Sequence, residues 1–211
     1  MKLQVALDTL SLEECIDLLN QVRKEIDIAE VGTPMIIEYG LTPVRELHRL
    51  FPEMEILADT KIMDAGEYEA EMCFKAGAAI VTVLGVTHDE TIRGALKAAK
   101  KYGGKILIDM IGVEDLARRT QQIDAMGVDY ICVHTAFDLQ VGGANPLEEL
   151  RRINSVLRHA KAAVAGGVKL ATIESIVREN PEIIIVGGGI TNQDDPAAVT
   201  AKMKSIMEAA Q

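Results

Sequence analysis

The chain has 211 residues, 48% of them hydrophobic, and a formal net charge of -10. That charge argues against nucleic acid as a partner, because a phosphate backbone needs a basic face and no Lys/Arg cluster longer than a helical pair occurs. The apolar runs are far too short to span a bilayer and the N-terminus passes directly into strand-like sequence, so a soluble, cytoplasmic protein with no membrane partner is expected, with residues 1–211 forming a single domain. Cys15, Cys73 and Cys132 are odd in number and widely separated, which reads as reduced, mostly buried thiols rather than a disulfide framework or a zinc site.

In chain order, β-rich apolar runs alternate with stretches whose apolar residues recur at helical spacing. A strand near Leu3–Leu7 precedes a helix over Leu12–Val22, and a strand near Ile26–Val31 precedes one over Val44–Leu50. The next pairs are Glu55–Ala58 with Ala65–Ala76, Ala79–Leu84 with Thr91–Tyr102, and Lys105–Met110 with Leu116–Met126. A strand near Tyr130–Val133 then leads to a helix over Leu147–Leu157, and strands near Ala162–Ala165 and Ile183–Val186 come before a last helix over Ala197–Ala209. Eight strands at intervals of about 25 residues predict an α/β fold, a compact TIM barrel with parallel strands inside and helices outside. Gly77, Gly103-Gly104 and Gly127 fall just after helices, where a left-handed cap is wanted. Asp194-Asp195-Pro196 reads as a helix start. No GxGxxG follows the first strand, which weakens the doubly wound alternative.

A barrel gathers the carboxyl ends of its strands around one mouth. Asp8, Glu30, Asp59 with Lys61, Asp109, His134, Gly166-Gly167 and Gly187-Gly188-Gly189 all fall there. Each alone reads better as a helix cap, a core histidine or a tight turn. Together they are harder to explain by stability, because crowded carboxylates cost energy unless a cation joins them. The stretch Asp59-Thr60-Lys61-Ile62-Met63-Asp64 places two carboxylates around one amine. Glu30 and Asp59 supply the hard oxygen ligands that suit Mg²⁺, although Lys61 alone could neutralise the pair. Lys61 could stabilise charge on a substrate oxygen or stand as a partly solvated rim lysine. The glycine turns after strands seven and eight, through Gly166, Gly167, Gly188 and Gly189, have the form of a phosphate cradle.

Val5-Ala-Leu-Asp8, Ile28-Ala-Glu-Val-Gly-Thr33, Leu57-Ala-Asp-Thr-Lys-Ile-Met-Asp64, Asp129-Tyr-Ile-Cys-Val-His134 and Ile185-Val-Gly-Gly-Gly189 carry an end-to-end resemblance to the 3-hexulose-6-phosphate synthases of the orotidine monophosphate decarboxylase superfamily. The DxKxxD element is common to the superfamily. The EVGT segment and the VHxxxDxQ segment from Val133 to Gln140 narrow the match to the branch shared with 3-keto-L-gulonate-6-phosphate decarboxylase. The resemblance implies a Mg²⁺-dependent aldol addition of formaldehyde to D-ribulose 5-phosphate through an enediolate, with Mn²⁺ as a substitute. It implies a site of Asp8, Asp59, Lys61, Asp64, Asp109 and His134, with the metal on Glu30 and Asp59. It also implies a homodimer in which Asp64 reaches into the neighbouring subunit. His134 is the best candidate base, while Asp109 either moves a proton or only orients its surroundings. The decarboxylase pattern has arginine where Phe137 and Gly189 stand and threonine where Ala165 stands, and these departures favour the synthase. The other readings are a decarboxylase-like enzyme and a non-catalytic sugar-phosphate-binding barrel, which would need the glycine turns but not the ionisable set.

Overall fold

Every one of the eight apolar runs forms a strand in the computed structural model, which describes residues 1–140 and 146–210 apart from the Gln140 side chain. The strands are β1 (Lys2–Leu7), β2 (Ile28–Val31), β3 (Glu55–Ile62), β4 (Ile80–Leu84), β5 (Lys105–Asp109), β6 (Tyr130–His134), β7 (Lys161–Ala165) and β8 (Ile183–Val186). They pair in parallel in chain order, and β8 returns to β1 to close the barrel. The helices described are α1 (Leu12–Val22), α2 (Thr33–Tyr39), α3 (Thr42–Leu50), α4 (Gly66–Lys75), α5 (Asp89–Tyr102), α6 (Leu116–Asp124), α7 (Phe137–Gln140), α8 (Leu147–Asn154), α9 (Ile173–Val177), α10 (Gly188–Thr191) and α11 (Pro196–Glu208). Among the described residues no helix is long and apolar enough to cross a membrane.

The strands read as continuous apolar runs because both of their faces are covered. Inward, Ala6, Ile28, Leu57, Ile80, Leu107 and Ile183 pack into a core inside the barrel. Outward, Val5, Ala29, Ile56, Val81, Ile106 and Ile184 pack against the helical ring. Local signals set the helix ends. Ser11 and Glu14 form a reciprocal capping box at α1, and Asp195 caps α11 with Pro196 in its first turn. Gly77, Gly103 and Gly127 have φ of 102°, 70° and 82°, as left-handed stops require.

At the amino end of the barrel, Lys2 and Lys105 both bond Glu55, so the first residues of β1, β5 and β3 are tied together. Nearby, the buried Asp124 carboxylate accepts the N–H groups of Arg158, His159 and Ala160 ahead of β7. This end carries stability and leaves the opposite mouth for chemistry.

Three features depart from the sequence expectation. The β2–β3 connection holds two helices rather than one, separated at Gly40 with φ 61°, because Thr33-Pro34 and Thr42-Pro43 each start a helix. The short helices α7, α9 and α10 have four, five and four residues, too few for a 3.6-residue period to register. The third is β3, expected to stop at Ala58 but running to Ile62 through a register shift against β4.

Candidate active site

The register shift in β3 builds the centre of the mouth. Ala58 stands beside Val81 and Ile62 beside Val83, so Asp59, Thr60 and Lys61 together face the single residue Thr82. Lys61 takes φ 47°, a left-handed conformation uncommon for a residue with a side chain. The bulge brings the side chains of Asp59 and Lys61, two positions apart, together at the mouth. Lys61 Nζ lies 2.5 Å from Asp59 Oδ2 and 3.2 Å from Asp109 Oδ2. Burial works against the ammonium charge, yet Asp59 and Asp109 hold the lysine pKa well above its ordinary value. The amine expected between Asp59 and Asp64 therefore sits between Asp59 and Asp109.

Asp59 also accepts from the hydroxyls of Thr33 and Thr82, each at 2.8 Å. Asp109 accepts from the Ile111 N–H at 2.9 Å through Oδ1 and meets His134 Nδ1 at 2.8 Å through Oδ2. Burial would raise the Asp109 pKa, but the His134 hydrogen bond and charge, Lys61 and the Ile111 N–H together hold it below the usual value. With Nδ1 donating to this carboxylate, the proton-accepting lone pair of a neutral His134 lies on Nε2.

Glu30 is differently placed. Its hydrogen bond comes from a carboxamide, Gln4 Nε2 at 2.6 Å, rather than from a cation. Burial first, then the charges of Asp59 and Asp8, push its pKa well above the ordinary value. Asp8 is shifted upward too, by burial and then by Asp59. Its carboxylate occupies room left by Gly32, where a Cβ would come within 2.2 Å of Asp8 Oδ1. Four carboxylates thus face one ammonium, and Gln4 Oε1 is buried without a partner. This deficit of positive charge fits a divalent cation. Among the described residues no group of three or more His, Cys, Asp and Glu is placed to hold a metal. Glu30 and Asp59 offer two carboxylates, and Mg²⁺ commonly takes only one or two.

The glycine turns lie side by side at the ends of the neighbouring strands β7 and β8. Gly166 and Gly167 have φ of 92° and 70°. A Cβ on Gly166 would come within 2.3 Å of the Thr135 carbonyl oxygen, and one on Gly189 within 2.5 Å of that of Val168. Gly188 and Gly189 open α10.

Asp64 stands apart from this cluster. It is exposed, and its Oδ1 accepts from the Ala65 N–H at 2.7 Å. The helix expected to start at Ala65, directly after it, starts one residue later. Ala65, at φ 50°, is the residue before α4, which starts at Gly66. Sequence reasoning gave no role to Gln4, Thr33 and Thr82, three neutral polar groups that hold the charged ones. For Gln4 and Thr82 the signal was a buried polar residue inside an apolar run, as in Ile80-Val-Thr-Val-Leu84.

Four carboxylates, a shared lysine and a histidine gather at the carboxyl end of a closed parallel barrel, the end where such barrels carry their active sites. The chain belongs to the Orotidine 5'-phosphate decarboxylase / HUMPS family, whose model matches residues 1–203. It is similar to 3-hexulose-6-phosphate synthase of Bacillus subtilis (strain 168), at 50% identity over 207 residues that cover 98% of this chain and 99% of that protein. It is also similar to the crystal structure of 3-hexulose-6-phosphate synthase from Salmonella typhimurium, with TM-score 0.98, 40% identity and all of both chains covered. A crystal structure of KGPDC from Streptococcus mutans matches with TM-score 0.91 and 27% identity over 99% of this chain and 98% of that one.

Proposed function

We propose that this chain is a 3-hexulose-6-phosphate synthase, a lyase that joins formaldehyde to C1 of D-ribulose 5-phosphate. The reading rests on one observation above the others: a lysine ammonium shared by Asp59 and Asp109, with His134 oriented on the same Asp109 carboxylate. Full-length similarity to synthases supports it. His134 Nε2 takes the proton from C1, leaving an enediolate whose oxygens accept hydrogen bonds from Lys61. The C1 electron pair attacks the formaldehyde carbon as the C2 ketone reforms, and the formaldehyde oxygen takes the proton back from His134 Nε2 to become the new hydroxyl. Both oxygens of Asp109 are engaged, so it orients the imidazole rather than moving the proton. Glu30 and Asp59 would hold Mg²⁺ or Mn²⁺, which when bound supplies Lewis-acid polarisation of the ketose oxygens.

The turns at Gly166-Gly167 and Gly188-Gly189 take the sugar phosphate on backbone N–H groups, because Gly189 and Ala165 bring no side chain that could. A cytoplasmic homodimer completes the site, with Asp64 and the exposed Met63, Tyr68 and Met72 beside it facing the second copy. The test is a product assay with ribulose 5-phosphate and formaldehyde, run beside 3-keto-L-gulonate 6-phosphate. Formation of the hexulose phosphate as the faster reaction is expected. Faster decarboxylation of the gulonate would overturn the synthase reading.

A further inference from the structure

Thr82 carries one hydroxyl and stands opposite three residues of β3. That hydroxyl accepts the Lys61 N–H at 2.9 Å and donates to Asp59 Oδ1 at 2.8 Å. The Thr82 carbonyl lies 3.4 Å from the Thr60 hydroxyl, so each residue of the bulge meets this one position. Thr82 is buried, within an otherwise apolar strand whose neighbours Val81 and Val83 are fully buried. A hydroxyl in such a place costs desolvation unless it is fully used, and this one is.

The need for it lies at Lys61. A lysine at φ 47° gives up conformational energy relative to extended backbone, and such a residue persists only where its surroundings over-determine it. Without an acceptor at position 82, the ladder offers the Lys61 N–H no substitute, because β4 pairs with β3 at Val81 and again only at Val83. The bulge would then relax toward ordinary strand, where successive side chains point to opposite faces. Any change at 61 breaks the alignment of Nζ with Asp59 and Asp109.

We propose that Thr82 is a positioning residue that holds Lys61 in its left-handed conformation and fixes Asp59 with the same hydroxyl, so that one neutral group sets the geometry of the charged centre. This deepens the synthase reading and rests on it for its kinetic part. Thr82→Val keeps the shape and removes the hydroxyl, whereas Thr82→Ser keeps the hydroxyl and removes a methyl group. In Thr82→Val, kcat should fall about a hundredfold, the scale expected for a misplacement of about 1 Å at a reacting centre. KM for ribulose 5-phosphate should stay within about threefold, since the glycine turns are untouched. Thr82→Ser should retain kcat within about threefold.

Amide hydrogen exchange at Lys61 gives a readout independent of turnover. Exchange should be slow in the wild type and in Thr82→Ser, and at least tenfold faster in Thr82→Val, with other β3 amides unchanged. If the valine variant does not fold, Thr82→Ala against Thr82→Ser makes the same comparison. Wild-type turnover in the hydroxyl-free variant, or equal losses in the serine and valine variants, would overturn the proposal. Absence of synthase activity in the wild type would reject the functional reading alone, and the exchange rates would still decide the role of Thr82.

Discussion

Gly166→Ala probes the phosphate cradle and the barrel together, and its cost can be worked from the geometry. Gly166 has φ 92°, and an added Cβ would come within 2.3 Å of the Thr135 carbonyl oxygen and 2.8 Å of its nitrogen. Holding alanine at positive φ costs about 1–2 kcal/mol. Forcing a methyl group against backbone that cannot rotate away costs about 1–3 kcal/mol more. Reduced freedom of the unfolded chain returns about 0.4–1 kcal/mol. The sum is a loss of roughly 2–4 kcal/mol, or roughly 5–15 °C in Tm for a chain of this size.

Gly103→Ala is the matched control, because Gly103 has φ 70° but nothing within 4 Å of its Cβ position. It carries the strain without the clash and should cost about 1 kcal/mol. Thr135 follows His134 directly, so the same clash should raise KM for ribulose 5-phosphate and lower kcat, while Gly103→Ala leaves both alone. Urea unfolding and steady-state kinetics on the two variants measure this. Equal stability losses in the two proteins would refute the argument from close approach.

Four further outcomes are expected. Chelation should abolish turnover, with Mg²⁺ or Mn²⁺ restoring it, and Glu30→Gln should lose this metal response while staying folded. The folded pKa of Glu30 is raised, so its contribution to the stability of the chelated protein is present at low pH and declines as pH rises through the folded value. Glu30→Gln should therefore flatten that decline above pH 4.5, as measured by urea midpoints across pH, and an unchanged slope would count against the raised pKa. Phe137→Arg should raise decarboxylation of 3-keto-L-gulonate 6-phosphate relative to synthesis, read from the ratio of kcat/KM values, by placing a cation beside His134 where charge develops only in that reaction. Asp59→Ala and Asp64→Ala proteins, each nearly inactive, should recover about a quarter of wild-type activity when unfolded, mixed and refolded, because half the dimers are mixed and half their sites intact; mixed dimers without activity would place both carboxylates in one subunit's mouth.

The barrel was legible in the sequence because doubly covered parallel strands leave unbroken apolar runs, and those runs recur at an even spacing. The charged residues were legible for a related reason: Asp8, Glu30, Asp109 and His134 stand where apolar runs end, and chain topology alone brings strand ends together. What stayed hidden depends on register. Nothing in Asp59-Thr60-Lys61 shows that β3 continues through it, because the extra residues are absorbed by a pairing with Thr82 that lies about 20 positions away. The second partner of Lys61 stayed hidden for the same reason. Asp64 is near in sequence, but the bulge turns the ammonium toward Asp109 on another strand. Gln4 drew no attention because a neutral polar group announces itself only when its burial is known.

Closure of the barrel between β1 and β8 also sets when the site can exist during folding. Asp8 sits at the end of β1 beside Gly187 at the end of β8, and the Lys204–Asp27 pair joins groups 177 residues apart. Until β8 has joined β1, both strands keep an unpaired edge and the two halves of the mouth are not held to each other. Contacts this distant form late, because the chain between them must be ordered first. On refolding, helical signal should therefore return before turnover, and the delay between the two should mark the closing of the last strand onto the first.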